Sequence, residues 1–140
     1  MTGRELVVVD ASAMVVLLVD GGADGEWVAD RLRGTRLAAP QLMPFEVTNV
    51  LRRQVIRRAL TEPQGRVARE AFGLLPVELW ACALLADRMW ELRDNASAYD
   101  ASYLALAERV GAPLITGDRR LATVPGIQCP VVLVPETPLP

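Results

Sequence analysis

Residues 6–12 read LVVVDAS. The run Leu6–Val9 is apolar without alternation and mostly β-branched, the pattern of a strand buried on both faces of a parallel sheet, and it stops at a carboxylate, Asp10. A helical stretch is expected from about Ser12, broken by Gly21 and Gly22. Downstream, short apolar runs keep alternating with amphipathic segments. Asp24–Leu32 reads as a helix with Trp27, Val28 and Leu32 on its apolar side, and Leu37–Ala39 as a strand. Pro44 suits a first helical turn, where its missing N–H costs nothing; Phe45, Val47, Val50, Leu51 and Val55 carry that helix to about Ala59. Thr61 is placed to cap a further helix running to Leu75. Val77–Trp80 then reads as a strand and Cys82–Leu92 as a helix. Ser97 opens the clearest helix, with apolar Tyr103, Leu104, Leu106, Ala107 and Val110 and a stop at Gly111. Pro113–Thr116 and Val131–Val134 complete the strands.

Strands separated by helices build βαβ units, so the expected fold class is α/β: three layers around a central, mainly parallel sheet. With 140 residues, 51% of them hydrophobic, the chain can bury one good core and not two. It is expected to be a single domain, residues 1–140, with about 135–140 a loose C-terminal tail. Ligands of such sheets collect beyond the carboxyl ends of the strands, where Asp10 and Asp118 stand.

Composition removes several kinds of chemistry. The longest apolar stretch is interrupted by Asp10 and Ser12 and falls short of a membrane span, and Met1–Glu5 lacks the basic character of a secretory leader; no membrane association and a cytoplasmic location are expected. Cys82 and Cys129 lie far apart, outside any CxxC pattern, and are expected to act as small hydrophobes. Histidine is absent, and with it every Ser-His or Cys-His nucleophile pair. All 15 cations are arginine, so lysine-dependent active sites are excluded as well. Hydrolysis by this chain would rest on carboxylates and metals. The net charge of -2 gives no global basic field, so any contact with nucleic acid must be local.

Four acids stand at informative places: Asp10 in VVVDAS, Glu46 in PFEVTNVL, Asp100 in SAYDASYLALAE and Asp118 in LITGDRRL. Each alone has an ordinary structural role. Asp10 and Asp118 can cap the turns that follow them, Glu46 complements a helix dipole, and Asp100 lies three residues after Ser97 as in a capping box. Together they can converge at one edge of a parallel sheet, where four carboxylates repel and a divalent cation relieves the repulsion. Oxygen-only ligands favour Mg²⁺ or Mn²⁺ over zinc. Such a site suits hydrolysis of a phosphodiester by an activated water. Asp10 and Asp100 are the expected direct ligands, with Glu46 and Asp118 as ligands or water-orienting groups, and Ser12 and Thr116 as supports. Arg52 and Arg53, on the helix of Glu46 with Arg57 and Arg58, and Arg119 and Arg120 after Asp118 are candidates to hold RNA phosphates; a solvated helix face is the alternative. Trp27, Trp80 and Trp90 are expected to anchor the core or an interface.

The ordered set VVVDAS, PFEVTNVL, SAYDASYLALAE and TGDRRL resembles the PIN domain, and specifically the VapC-type toxins of bacterial type II toxin–antitoxin systems, over Val7 to about Leu121. The resemblance implies an endoribonuclease dependent on Mg²⁺, with Mn²⁺ able to substitute, that cleaves cellular RNA and arrests growth until a cognate antitoxin neutralises it. It places the family's four acids on Asp10, Glu46, Asp100 and Asp118, all intact. It also implies a homodimer, and an antitoxin tail lying in a groove of the toxin, in some members with a basic side chain in the acidic pocket. Thr61–Trp80 matches no diagnostic pattern. Receiver domains and haloacid-dehalogenase-type phosphatases use similar acids but need a lysine that this chain lacks. A catalytically silent PIN-like scaffold that binds protein or RNA, and a PIN-like DNA nuclease, are the other readings.

Overall fold

In the computed structural model, which describes residues 3–135, the strand β1 (Leu6–Val9) is the middle of a five-stranded, wholly parallel sheet. The elements that follow are α1 (Ala11–Val19), α2 (Ala23–Leu32), β2 (Arg36–Pro40), α3 (Met43–Ile56), α4 (Glu62–Leu74), β3 (Val77–Trp80), α5 (Ala86–Glu91), α6 (Ala98–Val110), β4 (Leu114–Thr116) and β5 (Val131–Leu133). The strand order is β3-β2-β1-β4-β5. Val7 and Val8 pair with Leu37 and Ala38 on one side; Val8 and Val9 pair with Leu114 and Ile115 on the other. Both neighbours hide β1, which is why three of its four residues can be valine with no polar alternation.

Progression is to one side from β1 to β3 and then jumps back across β1 to β4. Right-handed crossovers therefore put α1–α4 on one face and α5–α6 on the other. The packing agrees: α1 lies against α2, α3 and α4, while α6 lies against α5, β1, β2 and β4. The reversal between β1 and β4 leaves a crevice at their carboxyl ends. α6 is buried without interruption from Ala101 to Ala107, and its alanines and Ser102 let it sit close to the sheet. Met14, Met43, Leu104, Leu106 and Ile115 fill the deepest positions.

Caps fall where local chemistry puts them. Thr61 and Gln64 form a reciprocal capping box at α4, Ser97 caps α6, and Gly111 ends α6 in the left-handed conformation at φ 66°. Three of the boundaries that differ from the expectations have a local cause. α3 ends at Ile56 because Arg58 turns left-handed and the N–H groups of Ala59 and Leu60 both reach back to Gln54. The helix expected over Cys82–Leu92 is a 3₁₀ turn, Cys82–Leu84, followed by the short α5; the break turns Leu85 into the core while Cys82, Ala83 and Leu84 stay outside. Cys82 is thus exposed rather than a buried small hydrophobe, and Cys129 is half-buried. Pro113 offers its carbonyl to Val8 but has no N–H, so β4 begins at Leu114. Trp27 and Trp80 pack against the core; Trp90 is 68% exposed with the Arg93 guanidinium over its ring. From residue 136 on, the expected tail lies outside the described residues. No described helix is long and apolar enough to cross a membrane.

Candidate metal-dependent nuclease site

All four acids line one cleft of about 790 Å³ at the carboxyl edge of the sheet, and each comes from a different element. Asp10 follows β1 and caps α1; Asp118 follows β4 and caps a 3₁₀ turn (Arg119–Thr123); Glu46 and Asp100 lie in the first turns of α3 and α6. The capping roles and the cleft positions coexist, because a strand-to-helix junction at this edge both needs a cap and borders the crevice.

Asp10 is 6% exposed. Its Oδ1 accepts from the Ser12 hydroxyl at 2.6 Å and from the Ala13 N–H at 3.0 Å, and its Oδ2 accepts from the Thr116 hydroxyl. The two hydroxyls in turn accept from backbone: Ser12 from the Gly117 N–H at 2.8 Å, Thr116 from the Asp118 N–H at 2.9 Å. Ser12 and Thr116 thereby stitch the ends of β1 and β4 together and hold the carboxylate at the crevice. Three hydrogen bonds leave capacity on its two oxygens for another ligand. Burial nevertheless pushes the Asp10 carboxyl above its ordinary value, and the Asp118 charge adds to the push.

Glu46 is half-buried and accepts from the Tyr103 phenol at 2.7 Å. Burial raises its pKa against that hydrogen bond, with help from the charges of Asp10 and Asp100. Asp100 is raised in the same way, by burial first and then by Asp118, with Arg120 opposing. Asp118 alone is lowered, because Arg120 grips it with Nε at 3.0 Å and Nη2 at 2.6 Å.

Among the described residues no group of three or more His, Cys, Asp or Glu side chains is gathered closely enough to hold an ion as it stands. The donor set still fits a hard divalent cation: its charged ligands are all oxygens, and three of its four carboxyls are raised by burial and by one another's charge. Positive charge in this cleft would be taken up favourably.

Arg53 lines the cleft and Arg52 lines a separate groove between α3 and α4; both are exposed, as is Arg119. Arg120 is exposed too, but its fork is engaged by Asp118. Tyr103 is the residue that sequence reasoning placed only in the core. The available signal was its spacing, three residues after Asp100 and so on the same side of α6.

A family model described as the PIN domain matches residues 7–127. The VapC ribonuclease Mb0985 of Mycobacterium bovis is 39% identical over 131 residues, covering 94% of this chain and all of that protein. Among solved structures, PAE2754 from Pyrobaculum aerophilum is similar at a TM-score of 0.65 and 23% identity, covering 94% of this chain and 85% of that one. VapBC-5 of Mycobacterium tuberculosis, described as a member of the VapBC family of toxin–antitoxin systems, is similar at a TM-score of 0.56 and 19% identity, with coverages of 92% and 98%. At these identities the two structures speak to the fold.

Proposed function

The chain belongs to the PIN-domain family, alongside VapC ribonucleases, and from that premise we propose that it is a Mg²⁺-dependent endoribonuclease acting as the toxin of a toxin–antitoxin pair. The observation that carries this reading is the convergence of Asp10, Glu46, Asp100 and Asp118, from four separate elements, on one cleft where burial and mutual repulsion leave three of them raised in pKa. Asp10 and Asp100 would hold the cation, with Glu46 and Asp118 beside it; Mn²⁺ would serve in its place. When bound, the cation neutralises charge building on the phosphoryl oxygens and makes water a better nucleophile at neutral pH.

The chain's own residues do the rest. Ser12 and Thr116 fix the Asp10 carboxylate, Tyr103 orients Glu46, and Arg120 keeps Asp118 ionised. Glu46 or Asp118 orients the water toward the phosphorus, and either is a suitable acceptor for its proton. Arg53, which lines the cleft, and the exposed Arg52 and Arg119 would receive RNA phosphates. The whole chain acts as one PIN-like domain in the cytoplasm, as a homodimer neutralised by a cognate antitoxin; the names of its relatives support the antitoxin partner.

The test is cleavage of total cellular RNA by purified protein with Mg²⁺ or Mn²⁺, against EDTA and an Asp10→Ala control. Metal-dependent cleavage lost in the variant is the expected result. Equal cleavage by Asp10→Ala would remove this site from the reaction.

A further inference from the structure

The chain has three tryptophans, two tyrosines and two phenylalanines, and the structure divides them by place. Trp27, Phe72 and Trp80 pack against the core, and Tyr103 is buried within it. Trp90 is exposed, with the Arg93 guanidinium over its ring. The remaining two are Phe45, 77% exposed, and Tyr99, 64% exposed, and both line the cleft of the four acids.

Neither ring serves the packing of its own helix. α3 buries Met43, Val47 and Leu51, one stripe at a spacing of four, and Phe45 lies two positions after Met43, about 200° around the axis and away from that stripe. α6 is buried from Ala101 onward, so Tyr99 stands in its exposed first turn. Each ring immediately precedes an acid, Phe45 before Glu46 and Tyr99 before Asp100. The hydrogen bond from Tyr103 to Glu46 joins the two helices beside these positions, so the rings are carried on elements that hold one another. Two large apolar surfaces are thus held in water next to the carboxylates, with no role in the core to account for them.

Four carboxylates restrict what can approach such a surface: phosphates and acidic peptides are repelled. A nucleobase is neutral and presents π-faces, so stacking it on an exposed ring is not opposed by the acids and hides apolar surface from water. From the position of the two rings we infer that Phe45 and Tyr99 are stacking platforms for unpaired bases of the RNA strand beside the scissile phosphate. A strand whose phosphate lies at the acids carries its neighbouring bases past Phe45 and Tyr99, each one residue from an acid. Because every base has a π-face, the rings position the strand without fixing its sequence. The inference rests on the ribonuclease reading and adds which side chains hold the bases.

The experiment is binding of two fluorescein-labelled strands to the full chain in EDTA, followed by anisotropy: a single-stranded oligoadenylate, and an abasic ribose-phosphate strand of equal length. The variants are Phe45→Ala/Tyr99→Ala, Phe45→Leu/Tyr99→Leu and Phe45→Trp/Tyr99→Trp, with circular dichroism to confirm folding and sedimentation to read the oligomeric state. The native protein is expected to prefer the oligoadenylate. The alanine and leucine doubles should bind it on the order of tenfold or more weaker, while binding the abasic strand as the native protein does. The tryptophan double should keep the preference. Equal affinity of the native protein for both strands, or an undiminished preference in the folded alanine double, would overturn the inference. So would native-like binding by the leucine double, which keeps apolar bulk without a π-face. Loss of RNA binding together with a change of oligomeric state would also overturn it, and would assign the rings to contact with a second copy of this chain. Cleavage with Mg²⁺ on the same proteins separates the two readings: cleavage without a ring-dependent preference sinks the stacking alone, and a ring-dependent preference without cleavage sinks the nuclease alone.

Discussion

The phenol of Tyr103 donates to Glu46 at 2.7 Å across 57 residues of chain, joining α6 to α3 at the mouth of the acidic cleft. Burial and the adjacent Glu46 push the phenol well above its ordinary range, so it remains a donor at every physiological pH. Tyr103 therefore ties the helix that carries Asp100 to the helix that carries Glu46.

Tyr103→Phe keeps the ring and removes the hydroxyl. A hydrogen bond to a charged group contributes about 1.5–3 kcal/mol, and here it is made with a half-buried carboxylate. Single-turnover RNA cleavage is expected to slow by roughly tenfold or more, with the Mg²⁺ dependence moved to higher concentration. In a Glu46→Gln background the additional loss should vanish. A full additional loss there would show that Tyr103 acts by some route other than Glu46.

Asp10 gives a dependence of stability on pH whose sign is unusual for an acid. Its folded pKa lies above its ordinary 3.8, so the ionised carboxylate disfavours the metal-free fold above the folded pKa, and acidification through that pKa relieves the cost. Asp10→Asn retains an acceptor for Ser12 and Ala13 without the charge. In EDTA the variant should melt above the native protein near neutral pH, and the gap should close as pH falls toward 3.8. A gap that widens on acidification would contradict the buried-charge account.

Divalent cations should stabilise the native protein through the same carboxylates. At a hundredfold excess over Kd, linkage contributes about 2.7 kcal/mol, enough to raise the melting temperature by several degrees. Differential scanning calorimetry with Mn²⁺ and then EDTA reads this directly. Asp100→Asn is expected to lose most of the shift; an undiminished shift would place the ion elsewhere.

Thr116 is completely buried, and its hydroxyl serves Asp10 and the Asp118 N–H at once. Thr116→Val leaves Asp10 and the Asp118 N–H each short of a hydrogen bond, a cost of about 1–3 kcal/mol for a buried unsatisfied group. Urea unfolding should show that loss, and Thr116→Ser should recover most of it. Equal stability of the valine and serine variants would mean that the hydroxyl bridge is unimportant.

Much of this architecture was legible locally. Leu6–Val9 announced a doubly buried strand because nothing polar interrupts it, and Thr61, Ser97 and Gly111 marked helix ends because capping depends on residues a few positions apart. The acids were visible for the same reason: each sits where a strand ends or a helix begins. The Cys82–Leu92 segment reads as one helix, but Cys82, Ala83 and Leu84 stay exposed in a 3₁₀ turn, and the chain turns inward at Leu85 before the short α5.

The amino-acid order thus carried the α/β class, the caps and the candidate acids, since all of these follow from periodicity and short-range hydrogen bonding. Assembly in three dimensions supplied the partners. That Tyr103 holds Glu46 and that Thr116 closes over Asp10 from 106 residues away are outcomes of packing. A side chain's charge and shape are written at its own position, but what it touches is settled by crossovers that bring distant strand ends to one edge.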